Sequence, residues 1–284
     1  MRITSDWHIH SRNSCDGACM AVADLVQEAQ ERGVRDFGLT DHLHTPLNMP
    51  DLDASRREYL ACSPSPRFHF GVEVSCVSEW ELDELARGGH ENPVYGLRTG
   101  GPPAAAPAVA LTAEHTDRLG VEYVVGGTHW PLYVPLEREA VIADYHRQNM
   151  FLAAHPLVDV VAHPWWWQGH WAGEDGMFTA EPWFDHFGCI PASMHQEFAA
   201  CALEHDTAIE INIQAMLLNP RYPERFRRQY VDYLAALKDA GAALSMGSDC
   251  HSEHYEIDLE SAARMLDTVG IVDGDLWGLP PRGD

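Results

Sequence analysis

Short apolar segments alternate with longer amphipathic segments along most of the chain. The short segments are rich in β-branched and aromatic residues, which predicts buried strands. The longer ones repeat apolar residues at helical spacing: between residues 20 and 32, Leu25, Val26 and Ala29 share one face. Strands that alternate with helices predict βα units and a mostly parallel sheet. Seven such strands are predicted to begin at Ile3, Phe37, Phe68, Tyr123, Val158, Ile209 and Leu244.

Polar side chains that could bind metal or act in catalysis follow each predicted strand. In a parallel barrel the carboxyl ends of all strands meet at one rim, and that rim carries the functional groups. We therefore predict an α/β barrel that occupies residues 1–284 as a single domain. Residues 88–110 are rich in Gly, Pro and Ala and have no periodicity, which indicates a loop inserted into this domain.

The chain is strongly acidic, with 19 Lys and Arg against 43 Asp and Glu and a formal net charge of −24. This charge argues against nucleic acid or an anionic membrane as a partner, and the expected partner is a small-molecule substrate. No apolar run reaches the roughly 18 residues that span a bilayer. Because the first residues also have no signal-peptide core, we expect a cytoplasmic protein. The seven cysteines form no CxxC pair, which disfavours a disulfide framework.

Histidine, with 17 residues, is the unusual feature of the composition. His8 and His10 are two residues apart in a predicted strand, so both imidazoles point to one face and can meet one cation. Each polar residue taken alone also fits a structural role; Asp16, for example, suits a helix N-cap. Nine nitrogen and oxygen ligands at strand ends together predict a multinuclear metal site. They are His8, His10, Asp16, His42, Glu73, His129, His163, Asp249 and His251.

The order of these motifs resembles the PHP (polymerase and histidinol phosphatase) superfamily, in particular its stand-alone histidinol-phosphatase-like branch. The resemblance extends from residue 6 to residue 251. It implies a distorted (β/α)7 TIM-like barrel with three divalent ions, which histidine and carboxylate ligands do not identify as Zn, Mn or Fe. The motifs are Asp6-Trp7-His8-Ile9-His10-Ser11, Ser14-Cys15-Asp16-Gly17, Thr40-Asp41-His42, Gly71-Val72-Glu73, Gly127-Thr128-His129, Ala162-His163-Pro164 and Gly247-Ser248-Asp249-Cys250-His251.

The resemblance also implies how the nine ligands divide among the three ions, with Glu73 as a bridge between the first and the second. Glu73 and Asp249 are the predicted catalytic carboxylates. Neighbouring ions about 3.5–4 Å apart lower the pKa of a shared water, so we expect hydrolysis by a metal-bridging hydroxide without a covalent enzyme intermediate. The first set is His8, His10, Glu73 and Asp249; the second is Glu73, His129 and His163; the third is Asp16, His42 and His251.

The outer residues of the predicted site allow two interpretations each. Asp6 and Asp41 either orient metal-bound imidazoles or belong to ordinary polar turns. In the resembling phosphatases an Arg follows the Glu-x-Asn segment after the sixth strand, whereas Leu217 stands at about that place here. Arg12 or Arg221 would then bind a substrate phosphate, unless both are surface arginines.

Tryptophans follow two of the predicted ligand histidines. Trp130, Trp165 and Trp166, together with the polar and aromatic residues 168–171, either line the mouth of the barrel or pack beneath its loops. His44 either borders the same pocket or is solvated. An aromatic pocket would suit a substrate with an apolar or ring-shaped portion.

These features favour a metal-dependent hydrolase that acts on a small phosphate ester, in the manner of histidinol phosphatase. The missing Arg and the tryptophans motivate an alternative, in which the same centre hydrolyses an amide, ester or lactone. The complete ligand set disfavours a non-catalytic metal-binding module. The charge, and the lack of a polymerase domain, disfavour a polymerase-associated exonuclease.

Overall fold

Seven parallel strands form a ring in the computed structural model of the chain, which describes residues 1–88, 90, 93–167 and 186–282. The ring closes where the backbone N–H of Asp249 donates to the carbonyl of His8 (2.7 Å) and that of His10 donates to the carbonyl of Cys250 (3.2 Å). The predicted distorted (β/α)7 TIM-like barrel is confirmed. Around the ring the strands are β1 (Ser5–Ile9), β2 (Asp36–Leu39), β3 (Phe68–Ser75), β4 (Tyr123–Gly127), β5 (Val160–Ala162), β6 (Ala208–Asn212) and β7 (Leu244–Gly247).

Helices connect the strands and bury one face against the ring. Leu25 and Ala29 of the first helix are fully buried, as their spacing predicts, and Gly33 follows that helix with a φ of +87°, a conformation that favours glycine. The α-helices within the described residues are α1 (Val22–Glu31), α2 (Met49–Ala61), α3 (Glu79–Arg87), α4 (Ala113–Leu119), α5 (Arg138–Ala154), α6 (Ala192–His205), α7 (Glu224–Asp239) and α8 (Leu259–Asp267).

Short irregular elements were not predicted from the pattern. A two-residue strand, His42–Leu43, pairs with β3 and places His42 directly beside Glu73. Strand β3 itself continues past the predicted end at Val72 to Ser75, because it also pairs with β4 along that length. Further short elements are the 3-10 turns Pro46–Asn48, Phe187–Cys189 and Asp273–Asp275 and the π-helical turn Ile213–Leu217.

Within the part of the chain that the structure describes, two apolar clusters hold the barrel together. The larger one lies between the strands and the helices and includes at least one buried residue of every barrel strand. The smaller one surrounds Trp7 and Tyr123, and the Tyr123 hydroxyl donates to the Trp7 carbonyl at 2.8 Å. Each fully buried large apolar side chain contributes about 1.5–3 kcal/mol relative to an exposed one. The carboxyl ends of the strands, which carry the predicted site, are therefore part of a tightly packed barrel.

The glycine- and proline-rich segment 88–110, as far as it is described, packs against the barrel. Pro107–Ala108 forms a short antiparallel ladder with Val77–Ser78, which follows β3. The backbone N–H of Leu97 donates to the carboxylate of Glu81 in α3. These contacts bring part of the segment to the rim at which β3 and β4 end. No helix of the described residues is long and apolar enough to cross a membrane.

Candidate metal centre

The nine predicted ligands converge at the carboxyl ends of the barrel strands. His8 and Glu73 lie within β1 and β3, and the other ligands lie in the loops or short segments that follow a strand. Seven of the nine side chains are buried; Asp16 and His251 are partly exposed. Side chains far apart in the chain thus meet at one end of the ring, as the position of the motifs predicted.

The first predicted set forms a compact group of ligand atoms. His8 Nε2 lies 3.0 Å from His10 Nε2 and 3.0 Å from Glu73 Oε2. Asp249 Oδ1 lies 3.6 Å from His8 Nε2 and 3.4 Å from His10 Nε2. A tetrahedral site with bonds of about 2.0–2.1 Å has edges of about 3.3–3.4 Å. The spacing of these four atoms therefore matches that of ligands around one cation.

The second predicted set gathers around the other oxygen of Glu73. Glu73 Oε1 lies 3.1 Å from His129 Nε2 and 3.1 Å from His163 Nε2. Since Glu73 Oε2 faces the first set, the two oxygens of one carboxylate face two different groups of imidazoles. This is the geometry that a bridging carboxylate requires.

The third predicted set lies nearest to solvent. Asp16 Oδ2 lies 2.5 Å from His251 Nε2 and 3.2 Å from His42 Nε2. The other ring nitrogen of His42, Nδ1, lies 2.8 Å from Glu73 Oε2. His42 thus connects the third set to the carboxylate at the centre.

Polar groups behind the ligands hold the imidazoles in place. Glu210 Oε1 lies 2.6 Å from His8 Nδ1, and Ser75 Oγ lies 2.8 Å from His129 Nδ1. A partner of this kind sets the tautomer of a metal-binding histidine, so that Nε2 is free for the ion. Glu210 was not predicted as part of the site; a carboxylate in the middle of an apolar predicted strand was the feature that could have indicated this role.

Asp6 and Asp41 fix the backbone rather than the imidazole rings among the described residues. Asp6 Oδ1 accepts from the backbone N–H groups of His8 (3.2 Å) and Ser248 (2.8 Å). Asp41 accepts from both the backbone N–H and the hydroxyl of Ser11, each at 2.6 Å. The two carboxylates therefore position the chain on which ligands stand.

The electrostatics of the centre favour ionised carboxylates. Burial raises the pKa of Glu73, but imidazoles, chiefly those of His42 and His8, outweigh burial and hold that pKa well below its usual range. Asp249 behaves in the same way, with His8 as the largest opposing charge. Burial lowers the pKa of His8, and the charges of Glu73 and Glu210 raise it well above its ordinary value. Carboxylates in the ionised form are the ligands that cations need.

Several details show that the residues fit bound cations. His129 Nε2 and His42 Nδ1 are buried, and apart from the Glu73 oxygens 3.1 and 2.8 Å away they have no partner within the described chain. A Cβ at Gly127 would lie 2.5 Å from His129 Cε1 and 2.6 Å from Glu73 Oε1, so only glycine leaves room for these ligands. His163 and Asp249 have φ values of +26° and +57°. Such conformations cost about 1–3 kcal/mol each and cluster at functional sites.

A cavity of about 620 Å³ opens over the ligands. Its wall combines exposed edges of the three sets with aromatic and basic side chains. The lining residues outside the ligand sets include His44, Tyr95, Arg98, Trp130, Trp166 and Arg221.

The profile of the PHP domain family matches residues 6–164, which is more than half of the chain. The chain belongs to the PHP domain family. Members of this family use metal ions, and the histidine and carboxylate clusters of this chain could hold them.

Relatives of this PHP protein include an Escherichia coli (strain K12) protein named "Probable phosphatase YcdX". The two are 20% identical over 288 residues, covering 98% of this chain and 90% of YcdX. Among solved structures, a Listeria monocytogenes protein titled "putative histidinol phosphatase hisK" shares the fold with a TM-score of 0.53 and 10% identity, over 87% of this chain and 95% of that one. The family match and the YcdX relative support a metal-dependent phosphoesterase at the level of the family, and the solved structure supports the fold.

The structure places four of the six predicted substrate-binding residues of this PHP domain at the cavity. Trp130, Trp166, His44 and Arg221 line it. Trp166 is also in ring contact with the predicted ligand His163, at 4.9 Å between centroids.

The other two predicted substrate-binding residues do not line the cavity. Trp165 is fully buried and stacks on His146, with ring centroids 6.2 Å apart, because the chain turns there with a φ of +75°. Arg12 lies outside and pairs with Glu58, 3.0 Å between Nη2 and Oε1. Leu217 is fully buried in the core. The predictions for residues 168–171 lie outside the described residues.

Several cavity residues could not be predicted from the sequence, among them Arg98 and Tyr95. Arg98 and Tyr95 both come from the segment 88–110, whose composition predicted only a loop. Tyr95 packs on His44, with ring centroids 5.4 Å apart. A loop without periodicity has no pattern that tells which of its side chains point to the barrel, so only the tertiary structure could identify them.

Proposed function

We propose that this PHP protein is a metal-dependent phosphatase for a small phosphate ester, with a substrate like that of histidinol phosphatase as the first to test. The observation that carries the proposal is the position of Glu73, whose two oxygens face separate groups of imidazoles 3.0–3.3 Å away. A carboxylate shared between two cation sites is characteristic of centres that hydrolyse phosphate esters.

The ligand residues proposed for three divalent ions, Zn, Mn or Fe, are the three predicted sets. When bound, such ions supply Lewis acidity, lower the pKa of water and neutralise the charge of the phosphoryl group. The chain itself orients the ligands: Glu210 holds His8 from behind, and Ser75 holds His129. Glu73 connects the first and second sets through its two oxygens, and Asp249 completes the first set.

Ser75 also determines which nitrogen of His44 carries a proton. Its hydroxyl lies 2.8 Å from His129 Nδ1 and 2.6 Å from His44 Nδ1. If His129 ligates through Nε2, its Nδ1–H donates to Ser75, and the hydroxyl hydrogen of Ser75 is left to donate to His44 Nδ1. His44 then carries its proton on Nε2, which has no partner within the described residues and belongs to a side chain that lines the cavity. It is a ready donor to a substrate oxygen.

The decisive experiment is a panel of phosphate monoesters, amides, lactones and carboxylic esters assayed with protein loaded with Mn, Zn or Fe. We expect turnover of a phosphate monoester and its loss in the Glu73→Gln variant. Turnover of amides or lactones alone would reject the phosphatase and support the second candidate below. Full metal loading without turnover of any panel member would instead favour a metal-binding module.

The second candidate is hydrolysis of a non-phosphate bond by the same centre. Two observations favour it: Leu217 is buried where the resembling phosphatases carry an Arg, and Trp130 and Trp166 give the cavity an aromatic wall. An aromatic wall binds apolar or ring-shaped groups through dispersion and ring stacking. The cytoplasmic location stays a prediction.

A further inference from the structure

Arg98 lines the cavity from the predicted insertion, on the side of Trp130 and His44. Its guanidinium stacks on the face of Trp130, 3.8 Å from Cζ to the ring centroid. Trp130 in turn follows the ligand His129, and their ring centroids are 5.4 Å apart. Trp130 therefore contacts both Arg98 and His129, and Arg98 lines the same cavity as the proposed ligands.

The position of Arg98 is fixed by a buried network. Arg98 Nη2 donates to Glu81 Oε1 at 2.7 Å, and Glu81 is completely buried. Tyr133 donates to the other oxygen of Glu81 at 3.1 Å. A Cβ at Gly96, whose φ is +82°, would lie 2.4 Å from Arg98 Nη2, so glycine is needed for the loop to pass this close. Few conformations remain for the guanidinium.

The network leaves donors of Arg98 without partners. Nε and Nη1 are buried and have no hydrogen-bond partner within the residues that the structure describes. Buried donors without partners cost about 1–3 kcal/mol each, and more when charged. Burial lowers the pKa of Arg98 and outweighs the neighbouring Glu81, which raises it. Arginine nevertheless stays protonated in proteins. A cation with spare donors at a cavity wall is suited to an anionic ligand.

The other arginines near the site do not take this place. Arg12 is paired with Glu58 away from the cavity. Arg221 lines the cavity but is exposed to solvent, where a charge contributes less. The position at which the resembling phosphatases carry an Arg holds the buried Leu217.

We infer that Arg98 binds the phosphate group of the substrate and replaces the arginine that is missing after β6. The inference rests on the proposed function and identifies the residue of this cavity that recognises the phosphate. The inserted segment is then a part of the substrate site, and the aromatic face of Trp130 holds the guanidinium flat against the wall.

The test must avoid leaving Glu81 as a buried unpaired charge. We therefore compare Glu81→Gln with the double variant Glu81→Gln/Arg98→Met. In the double variant the guanidinium is removed without leaving a buried carboxylate unpaired. Arg98→Lys tests charge without the planar fork. Arg118→Met is the matched control, because Arg118 lies on the surface and pairs with Asp53. The probes are inorganic phosphate, by calorimetry on metal-loaded protein, and a phosphate ester that the wild type hydrolyses.

We expect the double variant to bind inorganic phosphate about 10- to 100-fold more weakly than Glu81→Gln, with a similar rise in KM for the phosphate ester. Metal content should stay the same in all variants. The phosphate affinity of Arg98→Lys should lie between those of Glu81→Gln and the double variant, and that of Arg118→Met should match the wild type. For a neutral carboxylic ester, if one is hydrolysed, KM should change less than twofold.

The inference would be overturned if the Kd for inorganic phosphate and the KM for the phosphate ester of the double variant lay within twofold of the values for Glu81→Gln. An equal loss for the neutral ester would also overturn it, because Arg98 would then only shape the wall. If the wild type hydrolyses no phosphate ester but its phosphate affinity depends on Arg98, the proposed function fails, whereas the assignment of Arg98 as the phosphate-binding residue of the cavity stands. Absence of phosphate binding to the metal-loaded wild type would reject the inference by itself.

Discussion

Glu210 Oε1 lies 2.6 Å from Nδ1 of His8, on the side of the imidazole that faces away from the other ligands. The second oxygen of Glu210 accepts from the backbone N–H of His163 (2.6 Å) and from Asn212 Nδ2 (3.0 Å). Asn212 in turn donates to Asp249 Oδ2 at 3.1 Å. One carboxylate of β6 thus ties together ligands of β1, β5 and β7.

Replacing Glu210 with Gln should weaken metal binding although Glu210 is not a proposed ligand. The loss of a carboxylate behind a ligating histidine typically lowers metal affinity about 10- to 100-fold. Competition titration against a chelator would measure the change. Glu122→Gln is the matched control, since Glu122 lies 2.7 Å from His69 Nδ1 outside the centre and its loss should leave metal affinity unaltered. Equal affinities of Glu210→Gln and wild type would show that His8 does not need this partner.

Glu73→Gln should lower the occupancy of two metal positions together, because one amide would replace the ligand atoms of both sets. Elemental analysis of the purified variant measures the metal content per chain. Asp16→Asn provides the comparison, since it should affect only the third set. A wild-type metal content in Glu73→Gln would mean that this carboxylate does not bridge two metal ions.

Metal binding at neutral pH should release protons from His8 and His42. Burial lowers the pKa of His42, but Glu73 and Asp16 outweigh it and raise that pKa from 6.5 to about 10. The ligand form is neutral, so about one proton leaves each of these two histidines, and apparent affinity rises with pH by about tenfold per unit for each proton released. Calorimetric titration in two buffers of different ionisation enthalpy counts the protons. A count of zero at pH 7 would contradict the expectation.

The same pKa shift makes a second prediction for the metal-free protein. His42 has a higher pKa in the folded than in the unfolded state, so its contribution to stability is complete below about pH 6.5 and is lost as the pH rises towards about 10. Burial lowers the pKa of His129 to about 4, so this imidazole, unlike that of His8, stays neutral and protons compete little with metal for it. Urea denaturation of chelator-treated protein at pH 6, 8 and 10 should show a declining free energy of unfolding; a constant or rising value would refute it.

Trp166→Ala should change substrate preference and leave metal content intact, because Trp166 lines the cavity without being a ligand. The neighbouring Trp165 is the control: it is fully buried, and Trp165→Ala should cost about 3–5 kcal/mol of stability instead. Ratios of kcat/KM over the substrate panel, together with thermal unfolding, separate the two effects. Unchanged ratios for Trp166→Ala would remove Trp166 from the substrate site.

Local sequence was sufficient for the strands, the barrel and the residues that converge at its rim. Strand ends such as Val72-Glu73 and Ala162-His163 combine an apolar run with a polar terminus, and in a parallel barrel that order alone sends the polar group to one rim. The physical reason is that chain direction and the two-residue period of a strand are local properties.

Contacts between distant segments could not be predicted from the pattern of apolar and polar residues in the sequence. Glu210 behind His8, the burial of Trp165 beside the accessible Trp166, and Arg98 on Trp130 each depend on where a loop or a neighbouring strand folds back. A positive φ at Trp165 and the buried partner of Arg98, Glu81, decide the direction of these side chains. Such directions arise from packing and the pairing of buried charges, which no single segment carries in its own sequence.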